Sequence, residues 1–217
     1  RAERLDPEAQ VVQAQDLDSG ELESFHYDAL LVATGSRARL PQVPGLDLPG
    51  VTTFTRPEEA IELRRAAQQG QLSRVAVIGA GSTGCELCEA FRSLWGIEVS
   101  LFEARDQVLP GLVGVSLGRI ITRELRRQGV DLHLGRPLEA IEPTIGKLSL
   151  TAGGEKFEGF DRIIVATGVR PNTELAAAAG ARLGLHDSLV VDSAMRTNLP
   201  RVWAAGDCVQ SVHAITG

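Results

Sequence analysis

The sequence contains little of what several common classes of protein require. Three cysteines in 217 residues are too few for a secreted disulfide framework, and they favour a reducing, cytoplasmic setting. Lys and Arg number 22 against 28 Asp and Glu, with a net charge of −6, which argues against a nucleic-acid or anionic-membrane partner. No run of 18 apolar residues occurs, so no membrane span is predicted. The cysteines and four histidines show no metal-ligand spacing, so no metal site is predicted.

The rest of the composition is that of a globular protein. Hydrophobic residues make up 43% and charged residues 23%, which are ordinary values. The length allows one large or two modest domains. The chain starts with neither Met nor an apolar signal core, and we therefore expect it to be a piece of a longer protein.

Two similar phrases lie 133 residues apart. The first, Y-D-A-L-L-V-A-T-G-S-R, covers residues 27–37, and the second, F-D-R-I-I-V-A-T-G-V-R, covers residues 160–170. This separation is too long for a solenoid repeat and favours duplicated domains. A G-x-G-x-x-G fingerprint precedes the second A-T-G by 87 residues, but the same spacing would place a first fingerprint before Arg1. We therefore expect two nucleotide-binding units, of which the first is incomplete.

The hydrophobic pattern predicts an α/β protein. From Arg74 it runs strand, glycine loop, helix, strand, as in a right-handed βαβ unit, with the helix over 83–95. Other helices are predicted over 55–69 (with Thr55 as the cap), 114–128 and 176–179. Strands are predicted at 30–32, 75–78, 99–102, 130–134, 163–165, 189–191 and 202–205, with hairpins around 18–20 and 153–154.

The fingerprint consists of Gly79, Gly81 and Gly84. A pyrophosphate binds against the N–H groups that begin a helix, where the helix dipole is positive. Side chains at the first two glycines would block the turn and the phosphate, and the third lets the helix pack on the strand. Glu103 lies 19 residues beyond Gly84, where a carboxylate binds the adenosine ribose diol. A purely structural glycine turn is the alternative, and the context favours dinucleotide binding.

The charge of Glu103 favours NAD over NADP. A carboxylate repels the 2′-phosphate of NADP and accepts hydrogen bonds from the free hydroxyls of NAD. Arg105 acts in the opposite sense, because a guanidinium can bind a phosphate. Its alternative role is that of a solvated surface charge. We expect NAD as the nicotinamide cofactor.

Four motifs together resemble the pyridine nucleotide-disulfide oxidoreductase family. They are A-T-G at 33–35, G-A-G-S-T-G-C-E at 79–86, A-T-G-V-R-P-N at 166–172 and A-A-G-D-C at 204–208. They stand in family order over nearly the whole chain. The final V-H-A-I-T-G is most similar to the branch of NADH oxidases and coenzyme A-disulfide reductases. The resemblance implies an α/β fold in which a Rossmann-like NAD(P)-binding domain is inserted into a partial FAD-binding domain of the same type.

The resemblance also implies a domain division and an activity. FAD-domain pieces are expected at 1–51 and 172–217, and the NAD(P)-binding domain at 52–171. The activity implied is that of an FAD-dependent NAD(P)H oxidoreductase, with hydride passing from nicotinamide to flavin and on to a disulfide, a persulfide, oxygen or a redox protein. We expect the complete protein to be a homodimer. This chain, lacking the first fingerprint and the C-terminal dimerisation domain, is expected to bind NADH weakly, not to retain FAD, and to be inactive alone.

The candidate site residues follow from the motif positions. For FAD they are Ala33, Thr34, Gly35, Gly206 and Asp207. For NAD they are Gly79, Gly81, Ser82, Thr83, Gly84, Glu86, Glu103 and Gly168. The resemblance implies that Asp207 holds the ribityl or diphosphate end of FAD as a buried carboxylate, whereas its alternative is an Asp in a turn or helix cap.

Glu86 is the one candidate for a catalytic role. In the family, the matching glutamate approaches the flavin–nicotinamide contact, often with a lysine that would lie outside this chain. Its alternative is an acid in the first turn of a helix, stabilised by the dipole. Ser82 stands where this branch often has an aromatic residue that gates the nicotinamide pocket, and Thr83 is more polar than usual, so the gate departs from the family pattern.

The cysteines allow two interpretations. Cys85 and Cys88 form C-E-L-C, and thiolates near a helix N-terminus are acidified, which would suit a redox pair. However, Cys is commonly a small buried residue, and one helical turn beside the fingerprint is a packing surface. We expect the packing role, and we expect Cys208 to lie in the core.

Two other functions compete with the flavoenzyme. A single-cofactor NAD dehydrogenase does not explain two A-T-G copies. A non-catalytic nucleotide-binding or redox-sensing module would fit a chain that has only one fingerprint.

Overall fold

The computed structural model describes residues 1–211 and divides the chain into two compact units. The continuous unit is Ala38–Gly168, and the discontinuous unit combines Arg1–Arg37 with the segment from Val169 onward. The V-H-A-I-T-G stretch on which the branch assignment depends lies outside the described residues. The division at 1–51, 52–171 and 172–217 assigns each piece to a cofactor and stays a prediction.

A five-stranded parallel sheet forms the centre of the continuous unit. Its strands are β6 (Val51–Thr53), β7 (Arg74–Ile78), β8 (Glu98–Glu103), β9 (Asp131–Leu134) and β13 (Arg162–Val165). The strand order is β6-β13-β7-β8-β9, and every neighbouring pair is parallel. β7 and β8 read as nearly continuous apolar runs, as expected of parallel strands that are buried on both faces.

The two faces of this sheet bury different side chains, because successive residues of a strand point to opposite sides. Val75 and Val77 of β7 pack in a cluster that includes Leu87 and Phe91. Ala76 and Ile78 of β7 pack in a second cluster, with apolar side chains of an antiparallel sheet. The sheet is therefore covered by helices on one face and by strands on the other.

The antiparallel sheet consists of β10 (Leu138–Thr144), β11 (Lys147–Ala152) and β12 (Glu155–Phe160). The hairpin predicted around residues 153–154 is confirmed as the connection from β11 to β12. Gly153 and Gly154 have φ values of +56° and +75°, as the two central residues of a type I′ turn require. Glycine adopts these angles without the steric cost of a side chain.

Three helices belong to the continuous unit: α1 (Pro57–Gln68), α2 (Ser82–Trp95) and α3 (Val115–Arg127). Their predicted existence and approximate bounds are confirmed. The predicted cap of α1 is wrong by one residue, because Arg56 is the N-cap. The carboxylate of Glu59 accepts hydrogen bonds from the N–H groups of Thr55, at 2.7 Å, and Arg56, at 3.0 Å. The side chain of Glu59, at the third helical position, thus forms the half of a capping box that binds back to the N-cap backbone.

The discontinuous unit has its own small sheets and one short helix. An antiparallel meander is formed by β1 (Ala2–Asp6), β2 (Val11–Gln15) and β3 (Leu22–His26), and the predicted hairpin joins β2 to β3. β4 (Leu30–Val32) pairs in parallel with β15 (Val202–Ala204), and α4 is Glu174–Ala178. The short strands β5 (Ser36–Ala38) and β14 (Val169–Pro171) lie where the chain passes between the units.

One predicted strand of this unit is wrong. Leu189 is fully buried, but its N–H bonds to the carbonyl of Cys208 and the N–H of Val190 bonds to the carbonyl of Arg182. Consecutive residues thus bond to different segments, and only isolated bridges form. The apolar run 189–191 is a core segment without a strand ladder.

Within residues 1–211, no helix is long and apolar enough to cross a membrane.

Candidate functional site

The glycine loop joins β7 to α2. Gly79 has φ +103°, and its N–H donates to the carbonyl of Phe102 at 2.7 Å. A Cβ at this position would lie 2.6 Å from the carbonyl oxygen of Ala166. At Gly84, a Cβ would lie 1.9 Å from the carbonyl oxygen of Gly79. Backbone would have to move in both cases, so the turn and the approach of α2 to β7 require glycine at these positions.

Gly81 is glycine for a different reason. It is the N-cap residue of α2, with φ −71°, an angle that other residues adopt readily. An added Cβ would meet no protein atom within 4 Å. The protein itself therefore does not exclude a side chain here. A Cβ would extend into open space beside the start of the helix, where a bound group would approach.

Among the residues that the structure describes, none caps the N-terminus of α2 with its side chain. No side chain in the described part of the chain bonds to it, and its first turn contains no acidic residue. Ser82 is exposed and Thr83 is half-buried in this turn. Because the first N–H groups of a helix have no partner within it, they are available here to an anion, and the helix dipole favours negative charge.

Glu103 ends β8 beside this loop and is only 8% exposed. Its Oε2 accepts the N–H of Ala80 at 2.8 Å, and its Oε1 accepts the N–H of Arg105 at 2.9 Å. The carbonyl of Ala80 in turn accepts the N–H of Leu109 at 2.7 Å. The carboxylate thus braces the glycine loop. Each carboxylate oxygen has a further lone pair, which leaves acceptor capacity for a ligand hydroxyl.

The second A-T-G motif lies directly beneath the glycine loop. Ala166 supplies the carbonyl that a side chain at Gly79 would strike, and Thr167 Oγ1 donates to the carbonyl of Arg39. Gly168, with φ +95°, ends the motif. The motif therefore shapes the turn after β13, and its backbone lies so close to Gly79 that only glycine fits there.

The C-E-L-C thiols are in an environment that disfavours thiolates. Burial, followed by the nearby charges of Glu103 and Glu86, raises the pKa of Cys85 to about 11. Burial raises the pKa of Cys88 as well. Both thiols are free, and Cys85 Sγ donates to the carbonyl of Ala80 at 3.7 Å. Since the reactive form of cysteine is the thiolate, this geometry favours the packing role.

Glu86 and Cys208, two more of the predicted residues, lie in opposite environments, one exposed and the other buried. Glu86 is exposed on the second turn of α2, and no hydrogen bond from its side chain exists within the described residues. Cys208 is fully buried, as expected, and its Sγ donates to the carbonyls of Ala205, at 3.3 Å, and Val32, at 3.5 Å.

In the discontinuous unit, the first A-T-G motif follows β4 and is bonded to Asn172. Thr34 Oγ1 donates to the carbonyl of Asn172, whose Nδ2 donates to the carbonyl of Thr34 at 2.9 Å. The N–H of Asn172 bonds to the carbonyl of Gly35 at 2.9 Å. Arg37 in turn donates to Asn172 Oδ1 at 2.6 Å. Asn172 was not predicted as a site residue, although it belongs to the motif at 166–172.

Asp207 follows Gly206, which has φ +81°, at the carboxyl end of β15. The expected burial of its carboxylate is wrong, because Asp207 is exposed. Its Oδ2 accepts a hydrogen bond from Ser36 Oγ at 3.0 Å. This links the first A-T-G segment to the A-A-G-D-C segment. Sequence reasoning did not predict a role for Ser36, which stands beside the motif and has no other distinguishing signal.

Within residues 1–211, no group of three or more His, Cys, Asp and Glu side chains is arranged to hold a metal ion.

A parallel sheet with a glycine loop at the start of a helix is typical of α/β proteins that bind dinucleotides. The family model for pyridine nucleotide-disulphide oxidoreductases matches residues 1–216. The chain therefore belongs to the pyridine nucleotide-disulphide oxidoreductase family.

Individual relatives agree with this assignment. The chain is 33% identical over 216 residues to an NADH oxidase from Methanocaldococcus jannaschii, covering 98% of this chain and 47% of the relative. It is 30% identical to a CoA-dependent NAD(P)H sulfur oxidoreductase from Pyrococcus furiosus, covering 100% of this chain and 48% of the relative. A water-forming NADH oxidase from Lactobacillus brevis, solved with NADH, superimposes with a TM-score of 0.90 at 29% identity, covering 96% and 45% of the two chains.

The chain thus spans about half the length of the curated relatives it matches. The predicted family and the α/β fold, including its likeness to FAD- and NAD-binding oxidoreductases, are confirmed.

Proposed function

We propose that the continuous unit binds NADH at the N-terminus of α2. The observation that carries the proposal is an uncapped helix start next to a loop that needs glycine at Gly79 and Gly84. The N–H groups of this turn suit the two negative charges of a pyrophosphate. The carboxylate of Glu103 has acceptor capacity for ribose hydroxyls, as a dinucleotide site requires. The residues present therefore fit the cofactor that the family implies.

The experiment that tests this site compares two helix-starting glycines. Gly81 and Gly114 are both N-cap residues without a side-chain cap, with φ −71° and −69°, and an added Cβ meets nothing at either. We expect Gly81→Val to raise the Kd for NADH in calorimetric titration, because the added side chain extends into the space that the pyrophosphate would occupy. The expected increase is about tenfold or more, which corresponds to a loss of only about 1.4 kcal/mol of binding free energy. The control Gly114→Val should bind NADH as the unaltered chain does. Equal binding by both variants would count against the site.

We further propose that the discontinuous unit is part of an FAD-binding domain. Its first A-T-G strand, β4, pairs within residues 1–211 only with β15, whereas β13, the strand of the second copy, lies between β6 and β7. β7 is the strand that leads into the glycine loop. The first copy therefore lacks the neighbour that β7 provides to the second, and Leu31 of β4 is 59% exposed. A strand leading into a first glycine loop, supplied by another part of the protein, would complete the flavin site.

The aspartates of the two repeated phrases support the same proposal. Asp161 accepts hydrogen bonds from the N–H groups of Ser73, at 2.9 Å, and Arg74, at 3.0 Å, where β7 begins. Asp28 occupies the matching position of the first phrase and is exposed, with no hydrogen-bonded partner among the described residues. A strand entering beside β4 would bring N–H groups to Asp28 as β7 does to Asp161.

In the complete protein, we propose the activity of an FAD-dependent NAD(P)H oxidoreductase. When bound, nicotinamide and flavin supply the hydride donor and acceptor, and the protein contributes orientation and exclusion of water. Asp207, held by Ser36, and the A-T-G turn at Ala33, Thr34 and Gly35 would hold the flavin. Glu86 would lie near the contact of the two cofactors. The relatives' names describe different reactions, and we propose a small molecule or a redox protein as the final electron acceptor.

Flavin content separates this proposal from its rivals. We expect the complete protein to be purified with stoichiometric FAD and a flavin absorption spectrum, to form a homodimer, and to work in the cytoplasm. We expect this chain alone to bind NADH without retaining FAD. A complete protein that binds NADH and turns it over without flavin would instead be a single-cofactor dehydrogenase. One that binds nucleotide without any turnover would be a sensing module.

A further inference from the structure

The two A-T-G motifs make the same hydrogen bond with equivalent residues. Thr34 and Thr167 occupy the same position in the two repeated phrases. In the discontinuous unit, Thr34 Oγ1 donates to the carbonyl of Asn172. In the continuous unit, Thr167 Oγ1 donates to the carbonyl of Arg39. The two accepting residues also match, because each follows the threonine of its own phrase by five residues. The repeat of the sequence is therefore also a repeat of this contact.

A backbone hydrogen bond accompanies each hydroxyl bond. The N–H of Asn172 donates to the carbonyl of Gly35, and the N–H of Arg39 donates to the carbonyl of Gly168, both at 2.9 Å. Gly35 and Gly168 have φ values of +65° and +95°, which glycine adopts without steric cost. The residue opposite each motif is thus held through both its N–H and its carbonyl.

We call each such pair of bonds a clamp. The first clamp joins the motif at 33–35 to Asn172, and the second joins the motif at 166–168 to Arg39. Both lie where the chain passes between the units, which divide after Arg37 and after Gly168. The threonine and the residue that it holds are 138 positions apart in the first clamp and 128 in the second. Neither clamp is therefore a local turn of the chain.

The side chains of the held residues differ between the clamps. Asn172 Nδ2 donates to the carbonyl of Thr34 at 2.9 Å, and Arg37 donates to Asn172 Oδ1 at 2.6 Å. The guanidinium of Arg39 forms no hydrogen bond within residues 1–211. The two clamps therefore have in common only the bonds of their threonine and glycine residues, which belong to the repeated motif.

The bond of each threonine hydroxyl determines what the side chain can do. A hydroxyl has one hydrogen to donate, and in both motifs a backbone carbonyl accepts it. Neither Thr34 nor Thr167 can donate to a phosphate oxygen without releasing the residue that it holds. The backbone of each turn stays available to a cofactor, whereas the hydroxyl serves the chain itself.

We propose that Thr34 and Thr167 are a matched pair of positioning residues that hold the two connections between the units. β5 leads from the first motif to Arg39, and β14 leads from the second motif to Asn172. Each clamp therefore closes on the end of the strand that the other motif begins. The duplicated threonine is required for this backbone contact, and the inference does not depend on either cofactor site proposed above.

Hydrogen exchange of the Arg39 and Asn172 amides in the whole chain, resolved by NMR, tests the two clamps separately. Both amides should exchange more slowly than in an unfolded peptide, because both donate to a carbonyl. Thr167→Val should speed exchange at Arg39 about fivefold, as expected for the loss of one hydrogen bond, and change exchange at Asn172 less than about twofold. Thr34→Val should have the converse effect.

Two further substitutions separate the hydroxyl from the shape of the side chain. Thr34→Ser and Thr167→Ser keep the donor, and each should leave the exchange rates of both amides within about twofold of the unaltered chain. The matched control is Thr122→Val, which removes a hydroxyl that donates to the carbonyl of Gly118 at 2.8 Å within α3. It should change exchange at neither Arg39 nor Asn172.

Several results would overturn the inference. One is exchange of either amide in the unaltered chain at the rate of an unfolded peptide. Another is a valine variant that speeds both amides equally or neither. A serine variant that speeds exchange as much as the corresponding valine variant would show that the hydroxyl is not the cause. The serine variants and the unaltered chain decide the matter even if a valine variant does not fold.

Discussion

Asp161→Asn should destabilise the continuous unit by about 2 kcal/mol at neutral pH. The Asp161 carboxylate accepts two N–H groups and the hydroxyl of Ser73 where β7 begins, and it pairs with Lys147. Burial by itself raises the pKa of Asp161, but the hydrogen bonds from Lys147, Arg74 and Ser73 outweigh it and lower the pKa from 3.8 to about 2. At about 1.4 kcal/mol for each pKa unit, the difference corresponds to about 2.5 kcal/mol. The side chain is only 13% exposed, so solvent screening reduces this value little.

The pH dependence provides a second, independent measurement. A carboxyl group whose pKa is lowered by folding stabilises the protein above the pKa of the unfolded chain, near 4, and this contribution is lost as the pH falls toward the folded value of about 2. The difference in stability between the unaltered protein and Asp161→Asn should therefore be constant from pH 7 to about pH 5 and then shrink toward pH 2.

Urea unfolding followed by tryptophan fluorescence measures both effects. The chain has two tryptophans, and Trp203→Phe leaves Trp95, at the end of α2, as the reporter of the continuous unit. Glu158→Gln is the control. Within the described part of the chain, this exposed carboxylate forms only a 3.7 Å surface pair with Lys156, and its loss should cost less than about 0.5 kcal/mol. A cost for Asp161→Asn no larger than that of the control, or a difference that stays constant down to pH 2.5, would refute the reasoning.

Three further outcomes follow from the site. Gly84→Ala should lower the melting temperature strongly, since its Cβ would lie 1.9 Å from a backbone carbonyl oxygen. Such strain typically costs more than about 3 kcal/mol. Because each kcal/mol shifts the melting temperature by a few °C, a value within about 2 °C of the unaltered chain would contradict this. Glu103→Gln should weaken NADH binding by about tenfold in titration, because it places an amide N–H against an N–H of the loop. Unchanged affinity would mean that the hydrogen bonds from the loop to this side chain are not needed for binding. Cys85 should react with a thiol reagent at pH 8 far more slowly than free cysteine, because its pKa of about 11 leaves only ~0.1% thiolate. Labelling as fast as that of the free amino acid would contradict the packing role.

Local sequence signals indicate the part of the proposed nicotinamide site that lies within one βαβ unit. Gly79, Gly81, Gly84 and Glu103 follow from the strand, turn and helix around them, because each acts through neighbours that the same pattern reveals. The helices were predicted to within a residue or two for the same reason. The cap of α1 was predicted at Thr55, but the helix begins after Arg56, whose N–H is bound by the side chain of Glu59 three residues later.

Sequence reasoning failed where the partner of a residue is distant in the chain. Ser36 and Asp207 are 171 positions apart and Thr34 and Asn172 are 138 apart, and nothing in either local sequence indicates the pairing. Asp207 was expected to be buried because it follows an apolar strand, but exposure depends on what covers the strand end. Leu189 was expected in a strand because it is apolar, yet its backbone partners belong to two unrelated segments.

The sequence by itself determined the family, the α/β class and the glycine loop, because motif spacing and side-chain periodicity are properties of short segments and survive without knowledge of the fold. Only the tertiary structure showed that both oxygens of Glu103 are held by backbone N–H groups. Within residues 1–211, it also showed that the guanidinium of Arg105 has no bonded partner while that of Arg136 is paired, and that β4 has one strand partner where β13 has two. Each of these depends on which distant backbone segments come into contact. Hydrogen bonds and burial between such segments are set by packing of the whole unit, which no local pattern encodes.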